Sequence, residues 1–497
     1  MKQGRGLGLM LKPRSTGEPV TQWLRDALRH AIVTGVIVPG GKLPSSRELS
    51  RAYGLARGTA VTALEELRAE GYLKGIRGSG LYVRSPLPDV LLEARAPSVK
   101  DRDTSAAKIH LSRFAKNVEP YSHYSTLATY AFRTNLPALD RFPTGLWARI
   151  TSRSLRRSTV RELFSAGPGG HEDLRSAIAE YLVTTRGAHC DASQVVIVSG
   201  VREALDLATR LLIDPGDRVL VEDPGYHVAY ASFRAAGARL ISVPIDDEGA
   251  APTSADIKHS KLMYLTPGHQ FPTGATMSAA RRLDILSNVS KSGAYIFEDD
   301  YDSEFRYVGR PLPVLQGLGR SDRVILAGSF NKTMFSALRL GYVVVPPALV
   351  EPLLRVKALS QTQAIADQLA FCEFLREGHF ARHLRRMRKL YAERYEMLRD
   401  SVTRLLSDYV SLSPIQAGMQ TVAWLKQGLN AEVVARSALR RNVDVIPLSR
   451  YVLKAKLPEG IQLGFAGVDE LAIERGVRVL ASVMKRQLKE SPHDSIL

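Results

Sequence analysis

The first 84 residues show a regular succession of amphipathic and turn patterns. Residues 21–35 place apolar side chains at helical spacing, which predicts a helix that ends at Gly35. A turn-rich break, VPGGKLPSS, precedes a short helix over RELSRAYG that ends at Gly54, with Ser45 and Ser46 as N-cap candidates. ARGTAVTALEELRAEGYL predicts a further helix, and KGIRGSGLYV predicts two short strands around a glycine-rich tip. This order is typical of a winged helix-turn-helix.

The exposed positions of that layout predict which residues would touch DNA. A recognition helix fits the major groove, where its first side chains meet base edges, while flanking elements meet phosphates. The predicted contacts are Arg57, Gly58, Thr59 and Thr62 on the recognition helix, Ser46 and Arg47 on the helix before it, and Arg77, Ser79 and Gly80 at the wing tip. A small helical cap with solvated arginines would show the same periodicity, so the pattern alone leaves both interpretations open.

From about residue 120, short apolar runs alternate with amphipathic helices. Such alternation predicts a mostly parallel sheet covered by helices, with ligands bound at the carboxyl ends of the strands. The predicted strands lie in QVVIVSG, DRVLVEDP, ARLISVPID, KLMYLTPG, GAYIFEDDY, RVILAGSF and GYVVVPP. Between the two regions, residues 85–120 lose periodicity and gain Pro, Ser and mixed charge. We therefore expect a head over residues 1–84, a linker over 85–120 and a body over 121–497.

Charge and composition narrow the class of protein. The formal net charge is +18, and residues 1–84 hold 14 Lys and Arg against 6 Asp and Glu. This excess favours a polyanionic partner such as nucleic acid or an anionic membrane surface, although a merely solvated basic surface would look the same. Cys190 and Cys372 are too few for a disulfide framework or a metal site. With neither a signal-peptide core nor a run of about 18 apolar residues, we expect a cytoplasmic protein.

The ends of the predicted strands carry the residue types of a pyridoxal 5′-phosphate (PLP) site. Such a site needs a lysine that condenses with the cofactor aldehyde, a carboxylate for the pyridine nitrogen, an aromatic ring and a phosphate cradle. The candidates are Lys332, Asp299, Tyr301, Tyr226, Ser329 and Arg339, together with Gly200, Val201 and Arg202 at the start of a helix. Each residue alone has an ordinary structural interpretation, and only the combination points to the cofactor.

Both regions resemble known families. LPSSRELSRAYGLARGTAVTALEELRAEGYL followed by RGSGLYV resembles the DNA-binding domain of the GntR regulators, over roughly residues 18–84. The body, over roughly 125–485, resembles the fold-type I aminotransferases. TPGHQFPTGATMS, EDDYDSEFRY and GSFNKTMFSALRLGYVVVP are similar to the MocR/GabR regulators, which fuse such a head to such a body. The implied fold is a winged helix-turn-helix followed by an α/β aminotransferase-like domain, with a smaller C-terminal α/β subdomain from about residue 347.

The resemblance also implies roles for particular residues. Lys332 would form the Schiff base, Asp299 would pair with the pyridine nitrogen, and Tyr301 would lie at the phenolic oxygen. Ser329 and Arg339 would bind the phosphate. The family further implies a head-to-tail homodimer on double-stranded promoter DNA and a small amine or amino acid as effector.

Four departures from the aminotransferase pattern concern the ligand. Phe271 replaces the asparagine before PTG, Ser165 replaces a tyrosine lent to the neighbouring subunit's phosphate, and Val201 and Arg202 replace small or amide residues. In IQLGFAG, Gln462 replaces the arginine that grips the substrate α-carboxylate, and a neutral amide cannot form that bidentate ion pair.

From these departures we take Gln462, His269 and Gln270 as the candidate effector-binding residues. Because transamination needs tighter positioning than sensing does, we expect a PLP-dependent regulator that senses an amine, an amino acid or the vitamer itself. We do not expect an enzyme, although a transaminase half-reaction could survive. A true aminotransferase with an appended DNA-binding head is the alternative.

Overall fold

The computed structural model describes residues 11–15, 17–87, 110–118, 131–309, 312–319, 322–360, 363–426 and 428–490. The chain forms two compact units, Met1–Ile109 and His110–Leu497, which contain the head and the body. Most of the linker predicted over 85–120 falls outside the described residues. Within the described part of the chain, no helix is both long and apolar enough to cross a bilayer.

The head is the predicted winged helix-turn-helix. Its elements are α1 (Val20–Val33), α2 (Ser46–Tyr53), α3 (Arg57–Ala69), β1 (Leu73–Ile76) and β2 (Gly80–Val83). Helix α2 begins at a reciprocal capping box, because Ser45 and Glu48 each accept a hydrogen bond from the other's backbone N–H. Ser45 is therefore the cap, and Ser46 is the first helical residue. Gly54 ends α2 in the left-handed region, at φ 66°.

The apolar stripes of the three helices meet in one small core. Buried residues from all three helices build it, including Leu24, Leu28, Ile32, Leu49, Ala60, Leu64 and Leu67. The wing is an antiparallel hairpin in which Ile76 pairs with Gly80, and Lys42 extends it through a bridge to Tyr82. This packing holds α3 and the wing tip in a fixed relation, as readout of a DNA groove requires.

The body is built on a mixed eight-stranded sheet. Its strands are β3 (Val195–Val198), β4 (Arg218–Asp223), β5 (Arg239–Asp246), β6 (Gly249–Ala250), β7 (Leu262–Leu265), β8 (Tyr295–Asp300), β9 (Val324–Ser329) and β10 (Gly341–Val344). The spatial order is β3-β10-β9-β8-β7-β4-β5-β6. Strands β5, β4, β7, β8 and β9 are parallel to one another, while β10 is antiparallel to both of its neighbours. All seven predicted strands are present; the two-residue β6 was not predicted.

Helices cover this sheet, and a second sheet follows it. The helices are α4 (Arg113–Asn117), α5 (Thr144–Arg157), α6 (Val160–Phe164), α7 (Glu172–Arg186), α8 (Val201–Leu212), α9 (His227–Ala235), α10 (Ser254–Lys258), α11 (Ala279–Ser292), α12 (Pro347–Lys357), α13 (Ile365–Arg376), α14 (His379–Leu406), α15 (Ala431–Leu439) and α16 (Glu470–Glu490). The second sheet is antiparallel, in the order β11-β12-β14-β13. Its strands are β11 (Val410–Leu412), β12 (Gln420–Leu425), β13 (Ile446–Pro447) and β14 (Gly460–Gly464).

Candidate cofactor site and DNA-binding surface

A cavity of about 380 Å³ lies where the strands of the large sheet end. All nine residues predicted from the strand ends line it. They gather there because the carboxyl ends of parallel strands share one edge of a sheet. The cavity therefore joins lysine, carboxylate, aromatic and phosphate-binding groups that are widely separated along the chain.

Lys332 is held over an aromatic ring. Its Nζ lies 4.0 Å from the centre of the Tyr301 ring. Burial lowers the pKa of the Lys332 amine, while the carboxylates of Asp302 and Asp299 oppose that shift. A lowered pKa increases the fraction of neutral amine, which is the form that attacks an aldehyde.

Asp299 has one satisfied and one unsatisfied oxygen. The Tyr264 hydroxyl donates a 2.6 Å hydrogen bond to Oδ2, whereas the buried Oδ1 accepts none from the described residues. Burial raises the pKa of Asp299 to about 6, although the Tyr264 hydrogen bond and the Lys332 charge lower it in part. A protonated pyridine nitrogen would supply both the missing donor and a further positive charge, so this carboxylate fits PLP.

The Tyr301 hydroxyl is backed by a buried histidine. His269 Nδ1 lies 2.9 Å from Asp302 Oδ1 and 3.0 Å from the Tyr301 hydroxyl oxygen. Because an ionised carboxylate only accepts, Nδ1 carries the proton of the bond to Asp302. The hydroxyl hydrogen of Tyr301 can then point into the cavity. Gly418 makes room for the imidazole, since a Cβ there would lie 2.2 Å from His269 Cε1.

The phosphate end of the cavity depends on a glycine and an asparagine. Gly200 has φ 140°, and a Cβ there would lie 2.9 Å from Asn331 Nδ2 and 3.2 Å from Ser329 Oγ. Asn331 Nδ2 donates to the carbonyl of Ser199 at 3.0 Å, and Asn331 Oδ1 accepts from the backbone N–H of Leu340. Asn331 thus ties the loops after β9 and β3 together. Its motif, GSFNK, is visible in the sequence, but the pattern assigns the asparagine no role.

Two arginines reach this end of the cavity. Arg202 Nε donates to the Tyr226 hydroxyl at 3.1 Å, so its side chain turns toward the cavity. Arg339 adopts the left-handed conformation, at φ 51° and ψ 48°. A non-glycine residue in that region is strained, and such strain concentrates at functional sites. With the backbone N–H groups at the start of α8, these side chains make a cradle that suits a phosphate.

The cavity wall also carries a charged pair that the sequence did not suggest. Arg133 Nε donates to Asp444 Oδ2 at 2.9 Å, and both residues line the cavity. Their side chains are 20% and 14% exposed. Tyr264, Thr266, Asn135 and Tyr451 also line the wall without having been predicted.

None of the three predicted effector-binding residues lines the cavity. Gln462 is fully buried in β14, and its Oε1 accepts from the hydroxyl of Tyr451, which lines the cavity instead. Gln270 donates to the carbonyls of Pro224 and Phe271 and accepts from Thr273, so both ends of its amide are bonded within the protein. His269 lies behind Tyr301. Phe271, by contrast, does line the cavity.

In the head, two arginines are paired with carboxylates, and the arginines at the predicted DNA-facing positions are not. Arg25 pairs with Glu66, and Arg29 pairs with Glu70, which neutralises carboxylates at the end of α3. Among the residues described in the head, no ion pair involves any of the three arginines of the proposed DNA surface, Arg47, Arg57 and Arg77, and all three are exposed. Positive charge is thus left uncompensated at the start of α3 and at the wing.

The smaller predicted contacts have distinct surroundings. Gly58, Thr62 and Gly80 are exposed, whereas Ser46, Thr59 and Ser79 are half-buried. A Cβ on Gly58 would meet no atom within 4 Å, so the fold itself does not require glycine there. Ser79 Oγ lies 2.7 Å from the Tyr82 hydroxyl, which orders the wing tip.

Two family models match this chain. Residues 21–83 match "Bacterial regulatory proteins, gntR family", and residues 147–480 match "Aminotransferase class I and II". "Probable rhizopine catabolism regulatory protein MocR" of Rhizobium meliloti is 36% identical over 95% of each chain. "HTH-type pyridoxine biosynthesis transcriptional regulator PdxR" of Corynebacterium glutamicum is 30% identical, over 93% of this chain and 94% of its own length.

Among solved structures, the body is similar to an aminotransferase. LysN of Thermus thermophilus, an alpha-aminoadipate aminotransferase complexed with N-(5'-phosphopyridoxyl)-L-leucine, superposes with a TM-score of 0.67 at 28% identity. The match covers 77% of this chain and 96% of LysN. A phosphopyridoxyl-complexed neighbour and the matched aminotransferase family together support pyridoxal phosphate as the cofactor of this fold.

Proposed function

We propose that this chain, which belongs to the MocR/GabR subfamily of GntR-type transcriptional regulators, is a PLP-dependent sensor of anionic amines. Members of that subfamily join a winged helix-turn-helix head to an aminotransferase class I and II body. The head binds promoter DNA. The body holds PLP through Lys332 and captures a primary amine that also carries an acidic group. The observation that carries this proposal is the convergence of Lys332, Asp299 and the Arg133–Asp444 pair on one cavity.

The cofactor supplies an electrophilic aldehyde carbon that reacts with primary amines. The side chains of the cavity hold and orient the cofactor. Asp299 holds the pyridine nitrogen through its unsatisfied Oδ1, and Tyr264 keeps that carboxylate in place. The hydroxyl of Tyr301 donates toward the phenolic oxygen, with His269 behind it. Ser329, Arg339 and the start of α8 bind the phosphate.

The proposed class of effector follows from the charged pair on the cavity wall. With glutamine at position 462, an α-carboxylate finds no arginine on β14. Arg133 supplies a guanidinium from a different segment, and the bond to Asp444 fixes the direction in which that guanidinium points. We therefore favour an amine with a carboxylate, sulfonate or phosphonate over a plain alkylamine, because a guanidinium binds such oxyanions through charge-assisted hydrogen bonds.

A homodimer is part of the proposal. Helix α6, directly before Ser165, exposes Val160 by 86% and Phe164 by 89% of their surface. Apolar side chains exposed together on one short helix suit an interface better than solvent. We propose that a second copy covers this helix, in the cytoplasm where promoter DNA lies. Light scattering of the purified protein should give twice the chain mass, and Phe164→Asp should shift it toward the monomer.

A transaminase with an appended head is the second candidate, because Lys332 beside Asp299 would serve turnover as well as sensing. The experiment that tests attachment begins with protein stripped of cofactor. PLP is added, the adduct is fixed by borohydride, and the modified peptide is identified by mass. We expect the label on Lys332 alone and no label at this position in Lys332→Ala. Label elsewhere in the chain contradicts the proposal, and steady keto-acid formation from an added amine favours the enzyme.

A further inference from the structure

The body contains a second and larger cavity, of about 710 Å³. It lies between α7, the start of α14 and the segment 303–309. None of its lining residues is shared with the cofactor cavity. The strand end EDDYDSEF connects the two, because Asp299 and Tyr301 line the cofactor cavity while Ser303 and Glu304 line the second one.

The wall of the second cavity is strongly basic. Five arginines face two glutamates there: Arg186, Arg306, Arg376, Arg385 and Arg388 against Glu180 and Glu304. Such an excess lowers the energy of an anion inside the cavity, and guanidinium groups bind phosphate and carboxylate through paired hydrogen bonds.

The protein itself compensates only part of this charge. Arg186 makes a bidentate bond to Asp300, with distances of 2.8 and 2.7 Å, and Arg376 pairs with Asp173 at 3.1 Å. Arg388 donates instead to the backbone carbonyl of Glu304. Arg385 is exposed and makes no ion pair within the described residues.

Two buried polar atoms of this wall have no partner among the described residues, Glu304 Oε2 and Arg306 Nε. Glu304 is 8% exposed, and its other oxygen accepts from the Tyr181 hydroxyl at 3.2 Å. An unsatisfied buried polar atom costs about 1–3 kcal/mol, so this arrangement is disfavoured unless something fills it. The missing partners are one acceptor, for the Arg306 N–H, and one donor, for the Glu304 carboxylate.

We propose that this second cavity binds a small oxyanion that also carries a hydroxyl group, such as a hydrogen phosphate, a phosphate monoester or a hydroxycarboxylate. The anionic oxygens accept from the arginines, and the hydroxyl donates to Glu304. Binding in the second cavity would affect the cofactor cavity through residues 299–306. Arg186, which lines the second cavity, is bonded to Asp300, and the neighbouring Asp299 and Tyr301 line the cofactor cavity. The site is therefore a second, regulatory input that is distinct from the amine.

Calorimetric titration of the PLP-loaded protein tests this proposal. Inorganic phosphate and citrate are the two probes, each in a buffer that lacks other multivalent anions. The loaded protein is used so that phosphate cannot enter the cofactor cavity. We expect saturable binding of at least one probe, and which of them binds distinguishes a phosphate site from a hydroxycarboxylate site.

Three variants make the test specific. Arg385→Ala and Arg306→Gln should weaken binding at least tenfold. Lys389→Ala removes the same charge from an exposed position on the same helix and should leave binding unchanged. Binding of neither probe overturns the proposal, as does an equal loss in Lys389→Ala, which would indicate only the general field of a basic protein. Binding that leaves the visible spectrum of the Lys332-bound cofactor unchanged overturns the regulatory part.

Discussion

The Tyr264 hydroxyl donates a 2.6 Å hydrogen bond to Asp299 and leaves the other carboxylate oxygen without a partner among the described residues. This half-satisfied carboxylate lies in the cavity that Lys332, Arg133 and Asp444 also line. In the proposed function, Asp299 would anchor the pyridine nitrogen, the start of α8 with Ser329 and Arg339 would bind the phosphate, and Arg133 would bind the acidic group of the effector.

Asp299→Asn should stabilise the protein without cofactor and weaken cofactor binding. The pKa of Asp299 is about 6 in the folded chain against an ordinary 3.8, so the folded chain binds more protons between these values. The free energy of unfolding therefore falls, through Asp299, as the pH rises from about 4 to about 6. The variant should lack this part of the pH dependence and gain on the order of 2 kcal/mol in unfolding free energy above pH 7. A cofactor-free variant that is less stable than the wild type at pH 7 would contradict this account.

Tyr264→Phe should weaken PLP binding about 10–100-fold, because it removes one neutral-to-charged hydrogen bond from Asp299. Tyr295→Phe is the matched control. Tyr295 is the first residue of β8, the strand that carries Asp299 near its other end. Equilibrium titration of stripped protein, followed by the visible absorbance of the cofactor, measures both. Equal affinities for the two variants would show that the Tyr264 hydrogen bond does not support the anchor.

Gly200→Ala should abolish or greatly weaken cofactor binding. The added methyl group would meet Asn331 Nδ2 at 2.9 Å, at a backbone φ of 140°. Gly216→Ala provides the control, because Gly216 also has a positive φ, of 97°, but a Cβ there meets nothing within 4 Å. Both variants carry backbone strain, and only the first disturbs the phosphate cradle. If Gly216→Ala lost PLP equally, general destabilisation would explain the result.

Arg133→Ala should remove the preference for an anionic amine. β-Alanine and n-propylamine form a suitable pair, since both offer a primary amine and only the first carries a carboxylate. We expect the wild type to bind β-alanine about 10–100-fold more tightly, from one charge-assisted contact, and the variant to bind both alike. The exposed Arg210→Ala is the control. A wild type that treats the two amines equally contradicts the effector class while leaving cofactor attachment untouched.

Arg57→Ala should weaken operator binding by about 1–3 kcal/mol if the side chain meets a base edge. If it meets a phosphate, the slope of affinity against salt should fall by about one instead. Arg68→Ala is the control, because Arg68 is exposed at the other end of the same helix. Fluorescence anisotropy across a salt series separates these outcomes. Unchanged affinity at every salt concentration would remove α3 from the DNA surface.

The strand ends were predictable because their signal is local. An apolar run followed by a polar cluster identifies the end of a buried strand, and parallel topology then brings the ends together. Asp299, Ser329 and Lys332 could therefore be assigned to one site from the sequence. Tyr264 could not, because it stands inside an apolar run, KLMYL, where a tyrosine is typical of core filling.

The Arg133–Asp444 pair could not be predicted, because it joins distant segments. Arg133 and Asp444 are 311 positions apart, and neither lies in a periodic pattern. Sequence position likewise does not reveal that the Gln462 amide accepts a hydrogen bond from the Tyr451 hydroxyl. Packing between elements decides which side chains reach the cavity, and no local pattern records it.

The central claim is that binding of an amine at Lys332 changes the affinity of the head for DNA. Its most direct test is the operator affinity of the PLP-loaded protein, measured by anisotropy with a panel of anionic and plain amines, in wild type and Lys332→Ala. We expect at least one anionic amine to shift the wild-type affinity by about 5–150-fold, the usual range of coupling between sites, and no amine to shift that of the variant. A wild-type operator affinity that no amine changes, or a shift that persists in Lys332→Ala, would contradict the account.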